Sequence, residues 1–225
     1  MGSNTFAFSP LPHVFTIPII FSLLSIANTA LACNNTTNPS YNHHTKTVHE
    51  NTTTNIPSNH YTKTYINYIK TSCSSTTYPS TCYRSLHPYA LKIEANPLKL
   101  CNVSLSLALS SAYRATNTVS KLLKHNDDLA HTTEQVVEDC FENLKESIGE
   151  LQDSLAAMGN LNGFDKGFQV SNIKTWVSAA MTDGQTCSDE ENYMDGAVRD
   201  KIRKNVLKVL RITSNALYFI NNLNY

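Results

Sequence analysis

Four long stretches of this chain repeat apolar residues at intervals of three and four, and no segment alternates apolar and polar residues with comparable regularity. Asn96-Pro97 supplies an N-cap followed by proline at the first helical position. Leu98, Cys101, Leu105, Ala108, Ala112, Val119 and Leu122 then keep one face apolar to about residue 124. The second run starts near Thr132 or Thr133 with acidic residues in its early turns. Its stripe is Val137, Cys140, Leu144, Ile148, Leu151, Leu155 and Met158, and Gly159 stops it. After a loop over 159–167, Ile173, Trp176, Val177, Ala180, Gly184 and Cys187 share a face of the third run. The fourth, from about 195 to 223, turns Val198, Ile202, Val206, Val209, Thr213, Ala216 and Ile220 inward. No such stripe can be buried alone, so the expected fold is all-α, an antiparallel up-and-down four-helix bundle over 96–224. Two shorter helical pieces, 65–72 and 80–87, precede it and make a hairpin over 63–90.

Upstream of the helices the composition changes twice. Residues 1–32 contain no Asp, Glu, Lys or Arg, and the apolar run at 14–26 is too short to span a bilayer comfortably. It leads to Ala30-Leu31-Ala32, small residues where signal peptidase needs them, so 1–32 reads as a secretory signal cleaved before Cys33. A secreted chain with no membrane attachment after cleavage is expected. Residues 33–62 are rich in Asn, Thr, Ser and His with almost nothing to bury, which predicts a disordered linker. Asn34, Asn35 and Asn51 head glycosylation sequons there, and Asn102 heads a fourth inside the first long helix. His43, His44, His49 and His60 have no partners at ligand spacing and no rigid element to hold them, so no metal is expected.

Charge and motifs narrow the function. Eighteen Lys and Arg balance eighteen Asp and Glu, leaving no global basic footprint for nucleic acid or an acidic membrane. With seven glycines the chain contains no G-x-G-x-x-G, no P-loop and no G-x-S-x-G. Ser171-Asn-Ile-Lys174 matches S-x-x-K but lacks the companion elements of that chemistry. Glu134, Glu138, Asp139, Glu142, Glu146, Glu150 and Asp153 all lie on the second long helix and cannot flank a substrate from two sides. No catalytic residue and no cofactor are expected, and binding proteins move up. The acidic helix is expected to face a basic one bearing Arg199, Lys201, Arg203, Lys204, Lys208 and Arg211. Such faces are either solvated, with salt bridges of small worth, or a surface for a partner. Glu142 and Glu146 stand one turn apart, as a contact ridge requires.

In a secreted chain cysteines default to disulfides, but six allow fifteen connectivities. Cys73 and Cys82 flank a turn-rich stretch, and joining them would pin the hairpin; Cys140 and Cys187 lie inward and level, and joining them would staple the bundle. Cys101 reads as a buried free thiol and Cys33 is left over.

Several of these segments resemble one known family. Cys73-Ser-Ser-Thr-Thr-Tyr-Pro-Ser-Thr-Cys82 looks like the N-terminal hairpin of the plant invertase and pectin methylesterase inhibitors, and Asp139-Cys140 like the cysteine opening their second pair of bundle helices. Thr175-Trp-Val-Ser-Ala-Ala-Met-Thr-Asp-Gly-Gln-Thr-Cys187 is similar to their most distinctive segment, and Thr213-Ser-Asn-Ala-Leu217 also matches. The resemblance spans about 63–225. It implies an inhibitor domain, not an enzyme: a bundle behind a disulfide-closed hairpin, with Cys73 bridged to Cys82 and Cys140 to Cys187. It further implies stoichiometric 1:1 inhibition of a cell-wall carbohydrate enzyme in the apoplast. In the pectin methylesterase branch, polar and acidic residues of the middle bundle helices cover the enzyme's substrate cleft. The matching positions here are Glu142, Glu146, Thr186 and Asp189. Where the family carries a further acidic residue, this chain has Gly149 with Glu150 beside it.

The Thr-Trp-Val-Ser-Ala-Ala segment, and a loop reading Phe164-Asp-Lys-Gly-Phe168 in place of Pro-Lys-Phe, lean toward pectin methylesterase as target, with cell-wall or vacuolar invertase the alternative. The chain stops at Tyr225 soon after the fourth helix, so an inhibitor without a fused esterase is expected. A secreted helical signalling ligand is a further alternative. An apolar-ligand carrier would need a cavity that Trp176 and the leucine stripes are expected to fill.

Overall fold

In the computed structural model, which describes residues 58–125, 130–161, 163–194 and 196–223, the four stripes become four long helices. These are α4 (Pro97–His125), α5 (His131–Gly159), α6 (Lys166–Asp189) and α7 (Gly196–Asn221); before them come α1 (Ser58–Ser74), α2 (Pro79–Leu86) and the single turn α3 (Ala90–Ile93). Short 3-10 turns at His87–Tyr89 and Glu190–Tyr193 bridge α2 to α3 and α6 to α7, and no strand occurs among the described residues. The expected signal, most of the linker, Cys33 and the sequons at Asn34, Asn35 and Asn51 lie outside the described residues. α1 reaches back to Ser58, into the end of the stretch expected to be linker. Nothing there forbids a helix: no proline follows Pro57 until Pro79, and Tyr61 meets Tyr65 one turn on, ring centroids 6.4 Å apart.

Each long helix packs on its chain neighbours, and α7 closes the ring against α4. This up-and-down order puts α5 and α7 at diagonal corners, so the acidic helix does not face the basic one, contrary to the charge pattern's suggestion. The ion pairs among the described residues are local instead: Lys99 with Glu94, Lys145 with Glu142 at 2.7 Å, and Arg199 with Asp200 at 3.7 Å.

The core follows the stripes with instructive exceptions. On α7 all seven expected residues are buried. On α5 the small residues Ser147 and Ser154 are as enclosed as Val137, Cys140, Leu144 and Leu151, while Ile148 and Leu155 pack at the flanks. The serines fit because their hydroxyls donate to backbone carbonyls, Ser147 across to Ala180 at 3.0 Å and Ser154 to Glu150 at 2.8 Å. Leu98 is not core: it is 47% exposed, and Leu100 and Val103 fill that end of α4. Trp176 is only half-buried, because Val170, Ile173, Val177, Ala180, Gly184 and Cys187 already complete the inward stripe of α6. At Gly184 a Cβ would stand 3.0 Å from Leu210 Cδ2, so the α7 leucine packs directly over this glycine and would have to shift to admit a side chain.

Asn96 caps α4 by accepting the Lys99 N–H at 3.0 Å. The chain reverses just before it through Glu94 and Ala95, both left-handed (φ 51° and 55°). Cys73 and Cys82 form the hairpin disulfide, Cα atoms 5.5 Å apart, and Cys140 and Cys187 join α5 to α6 at 4.5 Å. The hairpin is fastened to the bundle by a buried side chain. Asn215 on α7 accepts the Tyr78 N–H and donates to the Tyr78 carbonyl, both at 3.2 Å. Cys101 is a buried free thiol whose pKa burial pushes up to about 12, so it stays protonated and inert. A cavity between Cys82, Leu86, Ser104, Leu107, Ile212 and Asn215 holds only about 10 Å³, hardly a water and no apolar ligand. No described helix is long and apolar enough to cross a membrane.

Candidate functional site

Spacing of four along α5 puts Glu142, Glu146 and Glu150 in one row, with Asp139 and Asp153 beside it. Glu142 and Glu146 are exposed; Glu150 is half-buried and one of its oxygens, Oε2, is buried without a hydrogen-bond partner. Burial first, then the neighbouring charges of Asp153 and Glu146, raise the Glu150 pKa. Lys145, the cation of this stretch, is held by Glu142 and lies 5.4 Å from the centroid of the Phe141 ring. An open position completes the row: a Cβ added at Gly149 would meet nothing within 4 Å.

The seven carboxylates expected on one helix all lie on α5, and the neighbouring helix adds carboxylates of its own, Asp183 and the expected Asp189. The Cys140–Cys187 bridge and the Ser147–Ala180 hydrogen bond report one antiparallel register, which sets α6 residues against the α5 row. Asp183 is the result of that register. It is half-buried, and its pKa rises to about 6 through burial first and then the charges of Glu146 and Glu150, opposed by the Ser147 hydroxyl 3.5 Å away. Glu190, just past α6, is likewise raised by burial, then by Asp139 and Asp189, and its Oε2 is buried and unpartnered. Thr186 and Asp189 are exposed, and the Thr186 hydroxyl donates to the Thr182 carbonyl at 3.0 Å.

Glu142, Glu146, Glu150, Thr186 and Asp189 therefore fall on the α5 and α6 side, joined by Asp183 and Glu190, which sequence reasoning did not single out. Asp183 was findable: it stands three residues before Thr186, one turn away on the same helix. Asn102 is a different matter. It sits on α4, half-buried, and the serine of its sequon, Ser104, is buried with its hydroxyl donating to the Cys101 carbonyl at 2.8 Å. Among the described residues no three His, Cys, Asp or Glu side chains are grouped to hold a metal ion.

The carboxylates raised in the folded state bind protons more tightly than in the unfolded chain, so they favour the bundle in acid. For Asp183 that preference is fully present below its ordinary value of 3.8 and is lost as pH rises through about 6. Asp183→Asn should flatten the decline in melting temperature across that window. At pH 7.5 it should leave the protein more stable by about 1 kcal/mol, a value discounted for solvent screening. A variant that declines in parallel with the parent would show that Asp183 is not the titrating group.

Comparison with known proteins gives a consistent neighbourhood. The family model described as plant invertase/pectin methylesterase inhibitor matches residues 67–219. The chain is 41% identical to Pectinesterase inhibitor 10 of Arabidopsis thaliana over 66% of its own length, spanning about half (48%) of that relative. It is 39% identical to a 21 kDa protein of Daucus carota, over 67% of this chain and 80% of that one. Its fold is similar to the crystal structure of mutant form A of a pectin methylesterase inhibitor from Arabidopsis, with a TM-score of 0.59 at 18% identity, over 69% of this chain and 97% of the other.

Proposed function

Since the chain belongs to the plant invertase/pectin methylesterase inhibitor family, we propose that it is a secreted inhibitor of pectin methylesterase in the cell wall. It binds the enzyme one to one and covers the substrate cleft with the α5 and α6 face. The observation that carries this reading is the gathering of Glu142, Glu146, Glu150, Asp183 and Asp189 from two disulfide-linked helices, with Thr186 exposed among them. Carboxylates crowded without a matching set of cations raise one another's pKa values, and a partner that supplies donors relieves that cost. Relatives named pectinesterase inhibitors support pectin methylesterase over invertase as target. The signal over 1–32 and glycans at Asn34, Asn35 and Asn51 belong to the same reading of a secreted protein; a glycan at Asn102 would have to be attached before α4 folds, because its sequon serine is buried in the helix.

The enzyme cleft is expected to hold catalytic carboxylates, so the two acidic surfaces repel more as pH rises. Partial protonation of Asp183, near pH 6, eases the contact in an acidic wall. Titrating the chain against a plant pectin methylesterase and a cell-wall invertase, at pH 5 and 7.5, tests all of this. The expected result is stoichiometric inhibition of the esterase alone, tighter at pH 5. Thr186→Ala should weaken it about tenfold, the worth of a lost interface hydrogen bond, with melting temperature unchanged because the side chain is exposed. Inhibition of invertase alone would overturn the target, and equal inhibition at both pH values would overturn the electrostatic part.

A further inference from the structure

On the other side of the bundle, where α4 and α7 meet the hairpin, lies a groove of opposite character. It has a volume of about 520 Å³, within the ~300–1,000 Å³ of small-ligand clefts. Arg84 enters it from α2, Arg114 from α4, and Lys204, Lys208 and Arg211 from α7. All five are exposed, no acidic residue lines the groove, and none of the five is ion-paired among the described residues. Arg211 is positioned by packing, its guanidinium carbon 5.8 Å from the centroid of Tyr78 in the hairpin turn. Five like charges around one concave surface concentrate positive potential there, and the neutral total of the chain hides it.

The shape limits the anion. Lys204, Lys208 and Arg211 follow one ridge of α7 over about 10 Å of helix rise, with Arg84 and Arg114 supplied by other helices. That spread matches several anionic groups along a chain and exceeds what a single phosphate can touch. Tyr89, 39% exposed, and Leu107 add apolar surface suited to the C–H faces of sugar rings. A methylesterase leaves carboxylates on just such a chain. We propose that this groove binds de-esterified uronate segments, the product of the enzyme that the opposite face engages. The choice of uronate rests on the proposed function, but the groove lies on α2, α4 and α7, away from α5 and α6, so both ligands fit at once. The bundle would then hold the enzyme beside wall polymer already processed.

The test is direct binding of the full chain to a defined uronate oligosaccharide, with its fully methyl-esterified counterpart and inorganic polyphosphate as parallel probes. The expected outcome is saturable binding of the free acid, weakened at least tenfold by esterification and about tenfold on going from 20 to 200 mM salt. Arg84→Gln with Lys208→Gln should weaken it at least tenfold, leaving melting temperature and esterase inhibition unchanged. Equal binding of the ester, no loss in the double variant, preference for polyphosphate, or no binding at low salt would each overturn the proposal. Because no enzyme enters the binding assay, it can fail while the inhibition titration succeeds, and the reverse.

Discussion

Replacing Cys140 and Cys187 together by alanine lowers the stability of the bundle by about 4 kcal/mol, the chain-entropy value for a loop of 47 residues. For a domain of this size that is a fall in melting temperature of roughly 10 °C. The effect is large because both sulfurs sit in the core, 0% exposed, and because this bridge closes the longer of the two loops. The matched Cys73→Ala, Cys82→Ala pair closes only 9 residues and should cost about 2.5 kcal/mol. Calorimetry of the two double variants beside the parent gives the comparison. A smaller loss for the bundle pair than for the hairpin pair would show that packing of α5 on α6 holds the register without the bridge.

The largest functional effect belongs to the acidic row. On the proposed contact face, Glu142→Lys combined with Glu146→Lys should reduce inhibition of pectin methylesterase at least a hundredfold, since two carboxylates that accept hydrogen bonds from the enzyme's donors give way to longer side chains that accept none, a loss larger than any relief of repulsion from the cleft. Stability should move the other way. Both side chains are exposed, and Glu142 loses only a surface pair with Lys145, worth little. A lysine at 146 removes a charge that raises the pKa values of Asp183 and Glu150. The double variant should therefore melt at or above the parent temperature at pH 7.5 while failing to inhibit. Loss of inhibition together with lower melting would mean that the row is structural; full inhibition would place the contact elsewhere.

Helix existence and ends were legible because periodicity, the Asn96-Pro97 start and the Gly159 stop are local properties of the chain. The inward stripe of α7 is correct residue for residue for the same reason. What the sequence could not carry was which helices are neighbours. Treating α5 and α7 as facing partners relied on complementary charge, a weak and screened force, whereas the ring order follows from connectivity. Trp176 stays half-buried because Ile173 and Val177 beside it already fill the inward stripe of α6, and a hydrophobic residue one position off the stripe lands on its flank. Asp183 was passed over because its pKa comes from a neighbouring helix, and Asn215 because a polar residue inside an apolar stripe looks like noise until its partner, a turn 137 residues away, is known.

That last contact sets an order of events in biosynthesis. On the proposed secretory route, the short-range bridge Cys73–Cys82 can close as soon as its segment meets an oxidising environment, but Asn215 is translated after every other helix described. At about 5–20 residues per second, the hairpin waits on the order of ten seconds for the side chain that receives it. During that interval its apolar side, with Ile69 and Leu86, has no bundle to lie on. A crosslink confined to its own turn keeps it folded back on itself meanwhile.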